Sequence, residues 1–135
     1  MKRILKIIGA IVIVLAIPAI IQKVMFRGKP DEKKQALVNL AAEQNASVPK
    51  TLDSVTTLTR VEYDDPVWRV HYTLSPAAQI DPYSQAIYRD RAIKEICGGN
   101  TRTLLVQKIT IEYLYTYTDS AGEQKMRITI PPGSC

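Results

Sequence analysis

Histidine occurs once in these 135 residues, cysteine twice and glycine six times, and each scarcity removes a class of chemistry. Two cysteines and His71 cannot supply the four ligands of a tetrahedral zinc site at recognised spacing. Gly98-Gly99-Asn100 has neither a strand before it nor a Lys-Ser/Thr pair after it, so it is no phosphate loop. Neither G-x-S-x-G nor H-E-x-x-H occurs, and no Ser-His-Asp order stands out. The acid pairs Asp31-Glu32 and Asp64-Asp65 suit a helix start and a turn, which leaves no obvious carboxylate pair for acid–base work. The expectation is therefore a non-enzymatic protein without metal or cofactor.

Acidic residues are also missing from the first 30 positions, which hold Lys2, Arg3, Lys6, Lys23, Arg27 and Lys29. That partition explains the formal net charge of +5. From Asp31 onward 12 Lys/Arg face 13 Asp/Glu, so the remainder has no basic stripe for a phosphate backbone and nucleic acid is excluded as a partner. The basic flanks suit anionic lipid headgroups instead.

Between those flanks runs the longest apolar stretch of the chain, Ile4 to Phe26 if Lys6, Gln22 and Lys23 are admitted at its margins. An α-helix needs roughly 20 residues to cross the hydrocarbon core, and the two lysines can snorkel to the headgroups. Residues 1–29 are expected to be a membrane anchor, with a cleaved signal peptide as the alternative. Ile17 is bulky for an A-x-A-like cleavage site ending at Ala19, and no cysteine lies nearby to carry a lipoprotein anchor. Three basic residues on each side leave the orientation undecided by charge.

Residues 30–135 are long enough for one small domain. Pro30 or Asp31 opens a helix whose buried face carries Leu37, Leu40, Ala41 and Gln44, and Val48-Pro49 stops it. A strand follows, with Thr57, Thr59, Val61 and Tyr63 alternating against Leu58, Arg60 and Glu62. Asp64-Asp65-Pro66 turns the chain into Val67–Leu74, where Trp68, Val70, Tyr72 and Leu74 share the core face and Arg69, His71 and Thr73 the other. Asp81 caps a second helix with Pro82 at its first position, an apolar stripe of Tyr83, Ala86, Ile87, Ile93, Ile96 and Cys97, and a left-handed Gly98-Gly99 stop. A short helical turn reaches Leu104-Leu105-Val106. A strand over Ile109–Thr118, a turn at Asp119–Gly122 and a last strand over Glu123–Ile130 complete an α+β domain of order α-β-β-α-β-β. The sheet is expected to be mainly antiparallel with helices on one face.

Two features of this domain bear on function. Tyr113, Tyr115 and Tyr117 line one side of a strand: outward they form a platform for a protein partner, inward they pack the sheet with Ile109 and Ile111. Cys97 and Cys135 can form a disulfide in an oxidising compartment, tying the last strand to the second helix; a buried thiol and a frayed one are the alternative. Asn45-Ala46-Ser47 matches a glycosylation acceptor, a weak signal.

The stretches Val48-Pro49-Lys50, Val67–Leu74, Ile96-Cys97 and Tyr113-Leu114-Tyr115-Thr116-Tyr117-Thr118-Asp119 together resemble a set of small uncharacterised bacterial envelope proteins. Those have an N-terminal signal or anchor, a helix–hairpin unit, a Cys at the second helix and a Tyr-rich hairpin ending near another Cys. The resemblance implies an envelope location and the disulfide, and no activity. The combined expectation is a single-pass protein of the bacterial inner membrane, held to lipid by its N-terminal helix, whose periplasmic domain binds another envelope protein. An inhibitor or immunity-type protein acting against an envelope toxin or hydrolase is the alternative.

Overall fold

The computed structural model describes residues 28–135. The anchor or signal expected over residues 1–29 lies outside the described residues in all but residues 28–29, the whole apolar stretch 4–26 included. Among the described residues no helix is long and apolar enough to cross a membrane.

Helix α1 spans Pro30–Asn45. Proline fits its first position because that N–H has no intrahelical acceptor, and Asp31 and Glu32 sit in the positive first turn. The Lys29 N–H donates to the Glu32 carboxylate at 3.2 Å, which satisfies one donor at the helix start. Leu37, Leu40 and Ala41 are buried as expected.

Five strands follow, β1 (Lys50–Thr51), β2 (Thr56–Asp64), β3 (Val67–Leu74), β4 (Thr110–Asp119) and β5 (Gly122–Ile130), hydrogen-bonded in that order. Between β3 and β4 lie a 3-10 turn (Pro76–Ala78), helix α2 (Ser84–Cys97) and helix α3 (Arg102–Val106). The neighbouring pairs are antiparallel except β3 with β4, which run parallel. The sheet is therefore mixed: two hairpin units are joined at its centre by a helical crossover that returns the chain to its starting end. The two-residue strand β1 is an addition to the expected order.

One face of the sheet makes the core. Leu58 and Val61, then Trp68, Val70, Tyr72 and Leu74, then Ile111, Tyr113 and Tyr115, then Met126, Ile128 and Ile130 are all buried with the apolar residues of the three helices. The other face is polar, and its rows follow from the register. Glu62, Arg69, Glu112 and Thr129 make one row; Arg60, His71, Leu114 and Arg127 make the next. The helices thus lie on one face, as the alternation implies.

Three local expectations are corrected. In β2 the register shifts between Leu58 and Arg60, so Leu58 faces inward with Val61 while Thr59 bonds outward to the His71 carbonyl at 3.1 Å; the bulge reverses the alternation. Helix α2 starts at Ser84, and Asp81 instead holds the preceding turn, accepting from the Tyr83 N–H at 2.8 Å and the Ser84 hydroxyl at 3.3 Å. Its buried stripe is Ser84, Tyr88, Ala92 and Ile96, whereas Tyr83 and Ile87 are exposed. Gly98 has φ −87°, so no left-handed cap ends α2; the chain passes through the tight 98–101 turn into α3.

The sequon asparagine has a structural occupation. Beyond the short β1, the Val61 backbone would be an open sheet edge, and the Asn45 amide closes it by donating to the Val61 carbonyl at 2.5 Å and accepting its N–H at 2.7 Å. Asn45→Ala is expected to lower unfolding free energy by about 2 kcal/mol, the sum of two ordinary hydrogen bonds. Urea denaturation with an unchanged m-value checks this.

Candidate functional site

The tyrosine row turns inward. Tyr113 and Tyr115 are wholly buried, so they offer no surface to a partner, and Tyr117 alone of the three is half exposed. Tyr115 stacks on Tyr72 (centroids 5.0 Å apart, 19° between planes) and tilts against Tyr88 from α2 (5.2 Å), while Tyr72 meets Tyr113 at 6.0 Å. The hydroxyls of all four lack a hydrogen-bond partner. Burial raises their pKa values, pushing Tyr88 up to about 12 and the others further. This cluster is a packing device between α2 and the sheet.

Tyr117 lies where β3 and β4 both end. There it joins Pro76 of the 3-10 turn, Gln79 and Ile80 just after it, Asp119 at the end of β4 and Ser120 of the β4–β5 turn around a cleft of about 420 Å³. Gln79 has φ 52° and bends the chain so that Ile80 faces this space. Three residues on, Tyr83 is the most exposed large apolar side chain described, at 76%. A half-buried tyrosine, a proline and an isoleucine, with an exposed tyrosine three residues further along the chain, have the composition of a protein-contact surface. Ile80 and Pro76 escaped sequence reasoning because their segment has no periodicity to flag it.

The polar sheet face holds the principal ion cluster. Arg69 donates to Glu112 at 2.8 Å and to Glu62 at 3.2 Å; His71 Nε2 lies 2.9 Å from Glu62, and Arg60 3.1 Å from it. Glu112, on the polar face, is only 8% exposed because Arg69 and Arg127 fold over it. These groups meet across strands, on a flat surface and with every carboxylate paired, which is an arrangement for fixing register rather than for proton transfer. His71, placed by the alternation on the face away from the core, is half-buried in this cluster.

The hydrogen bond from His71, then Arg69 and the nearby Arg60 charge, hold the Glu62 carboxyl below its ordinary 4.5 against the opposing effect of burial. A depressed carboxyl stabilises the fold above its unfolded pKa, and the contribution disappears as pH falls through the folded value. Glu62→Gln is expected to flatten the stability profile below about pH 4.5 by under ~1 kcal/mol, as a partly exposed network should. Thermal melts of both proteins from pH 7 to pH 3 measure the difference.

Cys97 and Cys135 are joined by a disulfide, 38 residues apart in sequence. Among the described residues no group of three or more His, Cys, Asp or Glu is placed to hold a metal ion.

No protein-family model and no curated protein matches the chain. Solved structures do. A Pseudomonas aeruginosa protein assigned as secreted superposes with TM-score 0.60 at 16% identity, over 76% of this chain and 91% of its own. Pilotin EpsS of the Vibrio vulnificus type 2 secretion system gives 0.55 at 16%, over 76% and 90%. Pilotin AspS of the Vibrio cholerae type II secretion system gives 0.53 at 17%, over 87% and 97%. The fold is shared with secretion-system pilotins. At these identities the likeness concerns the fold alone.

Proposed function

We propose that the chain is a membrane-anchored accessory module of the bacterial envelope, non-enzymatic, whose periplasmic domain contacts another envelope protein through the end that carries Tyr117 and Tyr83. The observation that carries this reading is the cleft between the 3-10 turn and the β4–β5 turn, with exposed Tyr83 close by in the chain. Three further facts support it. Residues 4–26 have the length and flanks of an anchor. The disulfide belongs to an oxidising compartment. The fold is the one pilotins use within a secretion system. Anchoring would raise the domain's effective concentration for any partner held at the same membrane.

Photo-crosslinking in intact cells tests the reading. A crosslinker replacing Tyr83 or Tyr117 is expected to capture one envelope protein, and Ile80→Asp to abolish the capture, whereas a crosslinker at Thr129, on the polar sheet face at the far end of β5, captures none. Equal capture from all three positions, or none from any, overturns the proposal. Recovery of a toxin or hydrolase would replace the accessory role with the inhibitor one.

A further inference from the structure

A second cleft, of about 410 Å³, lies at the opposite end of the sheet, where β3 and β4 begin. The two clefts are separated by the length of β3, roughly 26 Å at 3.3 Å per residue. Three elements converge on this one: the first turns of α1, the β2–β3 turn, and the loop from α3 to β4. They bring Lys33, Lys34 and Lys108 together with Asp31 and Asp65. Two of the charged side chains and one backbone turn are held by neighbours. Lys33 Nζ donates to Gln107 Oε1 at 3.0 Å, and the Tyr63 hydroxyl donates to Asp65. Lys108 takes φ 64°, a left-handed turn held by its own N–H on the Leu105 carbonyl and by the Ile109 N–H on Leu104.

The position of this cleft in the chain suggests its ligand. Pro30, on its rim, is four residues beyond Phe26, the last residue of the apolar stretch. A chain extends at most about 3.6 Å per residue, so the rim lies within ~14 Å of the end of that stretch. Each headgroup layer is itself about 5–7 Å deep. A domain tethered so closely meets lipid phosphates continuously.

The charge pattern selects among headgroups. Three ammonium groups call for a phosphate, but Asp31 and Asp65 would repel a second anion. Both carboxylates are acceptors only; Asp65 takes the Tyr63 hydroxyl on one oxygen and has the other left to accept, so a primary ammonium can donate to the pair and a quaternary one cannot. We propose that this cleft binds the phosphoethanolamine headgroup of a membrane phospholipid, its phosphate against Lys33, Lys34 and Lys108 and its ammonium against Asp31 and Asp65. The inference rests on the anchor reading of residues 4–26. It also gives the domain a standing orientation, with the Tyr117 cleft pointing away from the bilayer.

The test uses the full chain, isotope-labelled, in nanodiscs containing phosphatidylcholine alone or with increasing phosphatidylethanolamine or phosphatidylglycerol. The Tyr63, Gln107 and Lys108 amides are expected to shift saturably with phosphatidylethanolamine only. Lys34→Ala with Lys108→Ala should weaken the response by about tenfold or more, as loss of two charge-assisted contacts implies, while the Ile128 amide in β5 stays in place and reports an intact fold. Equal shifts in phosphatidylcholine alone, or a response indifferent to the two substitutions, overturns the proposal. Glycerophosphoethanolamine added to the full chain in detergent separates this claim from the anchor. Lysine-dependent shifts there uphold the cleft even if alkaline carbonate strips the chain from membranes, and their absence refutes it.

Discussion

Replacing Cys97 and Cys135 together by alanine is expected to lower the melting temperature by roughly 15 °C. The bridge closes a loop of 38 residues containing α3, β4 and β5, and closure of a loop that size removes about 4 kcal/mol of unfolded-state entropy. For a domain near a hundred residues, 1 kcal/mol moves Tm by about 4 °C or more. Its placement adds to the effect. Beyond Ile130 the segment 131–135 belongs to no strand, and the bridge is what returns it to the end of α2. Without that link α2 keeps four buried residues, Ser84, Tyr88, Ala92 and Ile96, and one hydrogen bond from Gln85 to the Arg127 carbonyl at 2.9 Å to hold it to the sheet. Reductant should shift the native protein by the same amount and leave the double variant unmoved. A loss under 5 °C would mean that the helix is held by packing alone.

The disulfide also links location to architecture. The bond suits an oxidising compartment, and in the proposed envelope setting the two clefts would divide the domain between membrane and partner. The end with Lys33, Lys34 and Lys108 adjoins the point where the chain leaves residues 1–27, and the end with Tyr117 is one strand length away. On the proposed reading, that separation would hold a partner clear of the bilayer. The polar sheet face between them is occupied by its own ion pairs, with Glu62 and Glu112 shared among Arg60, Arg69, His71 and Arg127, and has little left over for a ligand.

Much of this arrangement was legible in the chain, for a definite reason. Strand β3 alternates without interruption between Asp64-Asp65-Pro66 and Ser75-Pro76, so its inward face was readable residue by residue. Strand β2 was not, because Thr59 is an inserted residue and a period-two pattern has no memory across a bulge. In α2 the apolar residues Tyr83 and Ile87 suggested the wrong stripe. The helix instead presents small Ser84 and Ala92 to a sheet face crowded with tyrosines, and close approach outweighs hydropathy there. The parallel pairing of β3 with β4 depends on where a 35-residue connection returns, which local pattern does not encode. The burial of Glu112 is equally non-local: the side chain that covers it comes from a strand 43 residues away.

The largest pH effect should come from the buried tyrosines, and it should be alkaline. Burial first, and neighbouring phenols with Asp53 second, keep Tyr115 protonated well above the ordinary range; Tyr72, Tyr88 and Tyr113 are shifted the same way. An acid whose folded pKa is raised binds more protons folded than unfolded, so stability is complete below the unfolded value near 10 and falls above it. Each such group contributes a slope of about 1.4 kcal/mol per pH unit, and four acting together give roughly 5. A marginal domain with 5–15 kcal/mol in hand should therefore unfold cooperatively one to three units above pH 10, with phenolate absorbance and loss of far-UV circular dichroism arriving in one step. Tyr115→Phe sharpens the case. It removes one of the four protons, cutting the slope by about a quarter, and it removes a hydroxyl that has no partner, so stability at pH 7 should rise by about 1 kcal/mol. Tyr115→Ala keeps neither ring contact and should cost 3–5 kcal/mol, in the range of a large aromatic lost from a core. Phenolates that form gradually while the dichroism persists would mean that the cluster admits charge without unfolding, and the packing role assigned to it would fail.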